Sequence, residues 1–327
     1  MKKTLIALAL VVVMTLGCLV ACTPTVTIDP NKQHYVVGIC QLIQHPALDS
    51  ATQGFKDGLT QALEAEGRTV EFDEQNAQGE PDTCGTIVNT FVAKGVDLIL
   101  ANATASLTSA VSATRNIPIL GTSITDYASA LNISNWNGVV GGNVSGTSDL
   151  APLDKQAEMI TELFPNAKKV GLLYCSAEAN SLYQVTEIAK FLQQQGVETE
   201  EFAFVDTSDL PAVTTAACAW SDVIYVPTDN IVANNTSIID SICQGANTPV
   251  VAGEEGICTG CGVATLSINY YQLGVITGQM AAKVLLGKQD ISTLAIATDS
   301  NPTFKFVASR CEKYGIEVPS NYVAIEE

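Results

Sequence analysis

Hydroxyl, amide and carboxylate side chains gather in seven short stretches of this chain, at residues 41–49, 102–106, 122–127, 146–149, 175–181, 227–230 and 253–256, and none of the seven contains lysine or arginine. In them Asp126, Asp149, Asp229 and the Glu254-Glu255 pair could meet an ammonium group. Hydroxyls and backbone N–H groups at helix starts, such as Thr104-Ala105-Ser106 and Asn180-Ser181, could hold a carboxylate, because the helix dipole favours negative charge there. The three arginines, Arg68, Arg115 and Arg310, fall in helices or in turns at the opposite strand ends, so no bidentate fork is aimed at phosphate or sulfate. Hydroxyls plus carboxylates without a strong cation suit a zwitterion or a neutral polar molecule. Each residue also has a plainer reading. Ser or Asn ahead of a helix is commonly a cap, an Asp after a strand an ordinary turn residue, and Glu254-Glu255 a solvated loop. The functional reading gains because all the stretches fall at one end of the inferred strands, where ligands meet parallel α/β sheets.

Enzyme signatures are scarce. No phosphate loop or nucleophile elbow occurs, and Gly141-Gly142-Asn143 lacks the strand-to-helix setting of a dinucleotide fingerprint. Of the two histidines, His34 falls at the end of a polar segment, while His45 precedes Pro46 at the mouth of the first strand and reads equally as ligand contact or turn. Ten cysteines are many. Cys258-Thr259-Gly260-Cys261 is the one pair close enough in sequence to suggest a local disulfide. Free thiols remain open, and no second pair or nearby histidine completes a zinc set. No catalytic residue, metal or cofactor is expected.

The elements that must position these stretches alternate short β-branched apolar runs with longer amphipathic ones. Strands are expected at 35–42, 69–73, 97–101 and 118–121, with helices at 46–67, 82–94 and 104–114 between them. The pattern then restarts, with strands at 169–174, 200–205, 222–226 and 249–252 and helices at 181–196, 209–219 and 231–244. The halves share local grammar: Gly95-Val96-Asp97-Leu98-Ile99-Leu100 leads through a turn and helix to Ile117-Pro118-Ile119-Leu120-Gly121. Ser221-Asp222-Val223-Ile224-Tyr225-Val226 leads likewise to Thr248-Pro249-Val250-Val251-Ala252-Gly253. Strands without strict alternation are buried on both faces, so each half is expected to be a doubly wound parallel α/β sheet. A late helix at 270–287 and a strand near 303–307 fit neither half and would cross back, giving a three-strand hinge. The expected partition is 34–145 plus about 268–300 for the first lobe, and 146–267 plus about 301–327 for the second.

At the front, Lys2 and Lys3 precede an apolar run from Leu5 to Val13, and Leu19-Val20-Ala21-Cys22 reads as a lipobox cut before Cys22. Thr15-Leu16-Gly17-Cys18 is a weaker second lipobox. The apolar run is shorter than the roughly 20 residues that span a bilayer. Residues 1–22 are therefore read as a lipoprotein signal peptide, 23–33 as a polar tether, and the rest as extracytoplasmic and anchored by lipid on Cys22. With 34 acidic against 16 basic residues and a formal charge of −18, nucleic acid is an unsuitable partner.

Residues 38–50, Gly-Ile-Cys-Gln-Leu-Ile-Gln-His-Pro-Ala-Leu-Asp-Ser, resemble the opening of the ABC-transporter substrate-binding lipoproteins that include tryptophan and tyrosine uptake proteins. Further matches are Gln75-Asn76-Ala77-Gln78-Gly79, Thr125-Asp126, Thr147-Ser148-Asp149, Glu178-Ala179-Asn180-Ser181, Pro227-Thr228-Asp229-Asn230, Gly253-Glu254-Glu255-Gly256 and Ile268-Asn269-Tyr270-Tyr271. The resemblance implies a type I periplasmic binding protein fold with no enzymatic activity. It also implies ligand contacts from Gln44, His45, Thr104, Ser123, Asp126, Ser148, Asp149, Asn180, Ser181, Asp229, Asn230 and Glu254. The implied cargo is an amino acid, with tryptophan, tyrosine or phenylalanine foremost, passed by a monomer to permease subunits. Tyr127, Tyr183 and Tyr270 are candidates to stack on its ring. Tyr127 stands where the family often has Pro, and Cys258 and Cys261 stand where it often has no cysteine. A ligand-sensing lipoprotein of the same fold, not coupled to transport, is the alternative.

Overall fold

The computed structural model describes residue 26, residues 28–299 and residues 301–326; Cys22 and the leader lie outside the described residues. The first half runs β1 (His34–Gln41), α1 (Pro46–Glu64), β2 (Thr69–Asn76), α2 (Pro81–Lys94), β3 (Leu98–Asn102), α3 (Thr104–Ala113), β4 (Ile119–Ile124), α4 (Tyr127–Ala130) and β5 (Val144–Ser148). The second runs α5 (Leu153–Leu163), β6 (Lys169–Cys175), α6 (Ala179–Gln194), β7 (Glu198–Phe204), α7 (Leu210–Trp220), β8 (Val223–Val226), α8 (Asn230–Ala233), α9 (Thr236–Ala246), β9 (Val250–Ala252), α10 (Glu255–Cys261) and β10 (Ala264–Ser267). The tail adds α11 (Tyr270–Leu285), β11 (Ala297–Thr298), β12 (Thr303–Phe306), α12 (Ala308–Tyr314) and β13 (Val323–Ala324).

Two sheets result, ordered β11-β5-β4-β3-β1-β2 and β13-β12-β10-β9-β8-β6-β7. Pairing is parallel except where β12 runs against β10. The central strands β3 and β4 are buried throughout, so both faces read as apolar. Each sheet ends in a strand whose composition suits an edge: β2 with Glu71, Asp73 and Glu74, β7 with Glu198, Glu200 and Glu201.

The chain crosses between sheets three times, after β5, after β10 and after β11. Residues 144–148 form a complete strand of the first sheet. The helix expected over 231–244 is two. Asp229 caps α8, and Asn234 and Asn235, weak helix formers, break the ladder before α9 begins.

Helix α11 returns to the first lobe and packs on α1 along Gly54, Gly58, Gly274 and Gly278. A Cβ at any of these would collide with backbone of the facing helix, at Tyr271, Val275, Ala51 and Phe55 respectively. Two Gly-x-x-x-Gly stripes thus bring the backbones into direct contact. Residues expected to be a free tether partly dock on this lobe: Val26 and Ile28 pack on its core, and Lys32 pairs with Asp97 at 2.6 Å.

Candidate ligand-binding cleft

The carboxyl ends of both sheets face each other, and their loops close around a tight pocket with a free volume of only about 10 Å³. The first sheet's loops supply His45, Leu48, Ser123, Thr125 and Asp149; the second supplies Asn180, Thr228, Asp229, Asn230, Ala233, Glu254 and Ile257. Tyr270 enters from the second crossing. No lysine or arginine lines it. Among the described residues, hydrogen bonds cross between the lobes from His45 Nε2 to Asn230 Oδ1 at 3.1 Å and from Gln184 Nε2 to Thr125 Oγ1 at 3.3 Å.

Three buried carboxyls line this space, Asp149, Asp229 and Glu254, and a fourth, Glu178, stands behind Asn180 and Asn230. Burial pushes the Asp149 carboxyl up to about 6 and Glu254 up to about 7. Burial raises Asp229 too, and burial together with the neighbouring Asp229 pushes Glu178 up to about 8. Among the described residues no ion pair involves any of the four.

Their hydrogen bonds separate them. Glu178 accepts from Asn180 Nδ2, from the backbone N–H groups of Asn230 and Ile231, and from Asn230 Nδ2. Asp229 accepts from the Cys175 and Val232 N–H groups and the Ser181 hydroxyl. Asp149, by contrast, accepts one bond per oxygen, from Thr125 and Tyr270. Glu254 also has one per oxygen, from the N–H groups of Gly256 and Ile257 that it caps. A carboxylate has about four lone-pair sites, so Asp149 and Glu254 keep acceptor capacity that Glu178 has used. Arg310 supports Glu254 indirectly, donating to the carbonyls of Thr259 and Gly260 at the other end of α10, where the dipole favours a cation.

Two lining atoms have no protein partner at all, His45 Nδ1 and Ser123 Oγ. Asn230 Nδ2 is held by Glu178, which turns Asn230 Oδ1 toward His45 and makes Nε2 the protonated nitrogen. Nδ1 is then a bare acceptor, and burial lowers the imidazole's pKa, keeping it neutral. Ser123 sits at φ +56°, in the left-handed region, where the β4–β5 register slips between Gly121 and Ile124. Sparsely populated backbone of this kind concentrates at ligand sites.

Of the twelve residues expected at the site, the cavity lining contains His45, Ser123, Asp149, Asn180, Asp229, Asn230 and Glu254. Five stand elsewhere. Gln44 is exposed. Thr104 starts α3 and lines a neighbouring groove that also touches Asn180. Asp126 caps α4 through Ser129. Ser148 ties the Thr125 carbonyl to the Leu150 N–H, and Ser181 lies behind Asp229. Sequence reasoning missed Thr125, Thr228 and the apolar wall of Leu48, Ala233 and Ile257. Their positions at strand ends and first helical turns are a signal only once register is known. Of the tyrosines, Tyr270 reaches the cavity. Tyr127 is core, its hydroxyl donating to the Thr147 carbonyl against Gly121 and Gly146, where any Cβ would collide with it. Tyr183 lies outside the lining. Cys258 and Cys261, the pair expected to form a local disulfide, stand here as free thiols. Both are buried along α10, and the Cys261 thiol donates to the Ile257 carbonyl of its own helix. His34 is at the far end of β1, hydrogen-bonded to Thr69.

Comparison with known proteins places this geometry. The model for "ABC transporter substrate binding protein" matches residues 36–324. A tyrosine-binding protein of Clostridioides difficile is 35% identical over 258 residues, covering 79% of this chain and 74% of that one. Among solved structures, an ABC domain from Streptococcus pneumoniae in complex with L-Trp superposes with TM-score 0.83 at 30% identity, covering 89% of this chain and all of that one. The ligand-free, open structure of a C. difficile substrate-binding protein with adhesive properties superposes at 0.67 with 33% identity, covering 89% and 99%.

Proposed function

The chain belongs to the family of ABC transporter substrate-binding proteins, with a type I periplasmic-binding-protein fold, and we propose that it captures an aromatic amino acid between its lobes and passes it to a membrane permease. It is a binding protein and not an enzyme, and such proteins work outside the cytoplasm.

The observation that carries the ligand class is an interlobe pocket lined by carboxyls that retain acceptor capacity and by no protein cation. An α-ammonium fits between Asp149 and Glu254, where it would supply the missing positive charge. The Ser123 hydroxyl, and the Thr228 hydroxyl, which accepts from Gln184 and keeps its own proton to donate, suit the ligand carboxylate. Leu48, Ile257 and the Tyr270 ring form the apolar wall for a side chain, and His45 Nδ1 is placed to accept from a polar tip such as a phenol or indole N–H. The names of the tyrosine-binding and L-Trp-bound relatives point the same way. The two hydrogen bonds across the lobes, and a better superposition on the L-Trp complex than on the open structure, support a closed arrangement here.

Around this site we place the lobes at residues 34–148 with 270–298 and 153–267 with 303–326, an anchor of lipid on Cys22, and a monomeric state. Isothermal titration of residues 23–327 against the twenty amino acids tests the reading. Heat with tryptophan, tyrosine or phenylalanine is expected, and silence with all three would overturn the ligand class.

A further inference from the structure

Eight cysteines lie among the described residues, and all are free. Most thiols have made their peace with the backbone or lie sealed in the core. Those of Cys175, Cys261 and Cys311 donate to carbonyls, and Cys40 and Cys84 share the Ser106 hydroxyl at complete burial. Cys40 and Cys84 also interact with each other, but sealed in the core, whereas Cys218 on α7 and Cys243 on α9 combine sulfur contact with access from outside. Their sulfurs face each other at 3.5 Å across two packed helices, and Cys218 is partly exposed.

We propose that Cys218 and Cys243 are oxidised to a disulfide once the chain is outside the cytoplasm. The inference rests on the extracytoplasmic reading for its oxidising setting, and on the sulfur geometry for its choice of pair. Closing from 3.5 Å to a bond of about 2.05 Å needs side-chain rotation and a small helix adjustment. Hydrogen bonding from Cys243 lowers the Cys218 thiol to about 7, so the accessible member is also the better nucleophile. The Cys218 thiolate attacks an external disulfide oxidant and forms a mixed disulfide with one of its sulfurs while the other leaves as a thiolate. Cys243 loses its proton, attacks the Cys218 sulfur and displaces the second oxidant thiolate. Two protein thiols lose two electrons and two protons, and one oxidant disulfide becomes two thiols.

The bond would close a covalent ring holding β8, Thr228, Asp229, Asn230 and α8. It therefore staples the second lobe's share of the cleft and leaves the hinge and the first lobe free to move. The sequence pair at Cys258 and Cys261 sits on one helix and has no such reach.

The test uses the full chain purified in reducing buffer, then exposed to oxidised glutathione and mapped by peptide mass spectrometry without reduction. A cross-linked peptide joining Cys218 to Cys243 is expected, together with a Tm that falls by about 5–10 °C on adding dithiothreitol. Cys218→Ser should abolish that thiol-dependent shift. Complete alkylation of both residues by iodoacetamide after glutathione treatment would overturn the geometry. Oxidation in the tube combined with free thiols in chain recovered from cells would overturn the proposal through its setting, while amino-acid binding stands unaffected.

Discussion

Glu178 and Asp229 on the one hand, and Asp149 and Glu254 on the other, are similarly buried at the cleft, yet they do different work. The first two are filled by the protein's own donors, with four N–H groups on Glu178 and three donors on Asp229. They hold the 175–181 and 227–232 loops together, as beams in the second lobe. Asp149 and Glu254 have one donor per oxygen and open acceptor sites. Burial and a raised pKa are thus shared by scaffold and binding acids, and it is the donor count that tells them apart.

The largest effect should come from the scaffold pair. Asp229→Ala strands the Cys175 and Val232 N–H groups and the Ser181 hydroxyl in a dry interior beside Glu178. It is expected to cost about 3–5 kcal/mol of folding stability in a urea titration. Loss of ligand binding with unaltered stability would move Asp229 to the other class. Asp149→Asn should show the reverse. The affinity for an amino acid falls by about 2–4 kcal/mol by calorimetry, while the empty protein is no less stable, because a desolvated charge has been removed. A stability loss as large as that of Asp229→Ala would erase the distinction.

This division also marks how far the sequence could be read. The alternation of apolar runs and helices, the repeated halves and the polar strand ends were all visible, because period and turn chemistry are local. Strand β5 was not. Its Val144-Ser145-Gly146-Thr147-Ser148 is too small and polar to look buried, and it becomes so because Ser145 and Thr147 find the Leu294 carbonyl and the Thr277 hydroxyl, from α11 and the segment that follows it. The glycine stripe between α1 and α11 joins segments more than 200 residues apart, so neither Gly-x-x-x-Gly could be assigned a partner from sequence. At the site, seven of the twelve expected residues line the cavity, but the roles of Asp229 and Glu178 depend on donors contributed by two separate loops. No spacing rule supplies that count.

Acidity sharpens the comparison from another direction. An unfolded Asp or Glu titrates near 4, whereas Asp149 is pushed up to about 6 and Glu254 to about 7 in the fold. Between about pH 4 and 7 the folded chain therefore holds more protons than the unfolded one, and its stability falls as pH rises through that window. An ammonium ligand needs the ionised form, so affinity rises over the same range. The empty protein is expected to show a higher Tm at pH 5 than at pH 7.5, and the ligand a Kd at least about tenfold weaker at pH 5. Parallel trends in both would mean that the ligand charge is met elsewhere.

Ser123 offers the smallest effect and the finest discrimination. Its φ of +56° is one that glycine adopts without steric cost, and its Oγ is buried with no partner. Asn247 shares that backbone region at φ +57°, but as the residue closing helix α9, where Asn is an ordinary substitute for glycine and nothing further is asked of it. At residue 123 a serine carries both backbone strain and an unpaired hydroxyl, two costs that glycine would remove. Ser123→Gly is accordingly expected to leave the empty protein as stable or up to about 1 kcal/mol more so. Amino-acid affinity should drop about five- to tenfold, the net value of one ordinary hydrogen bond. An affinity that survives the change would mean the hydroxyl meets no ligand atom, and the ligand carboxylate would then have to be held from the Thr228 side of the cleft alone.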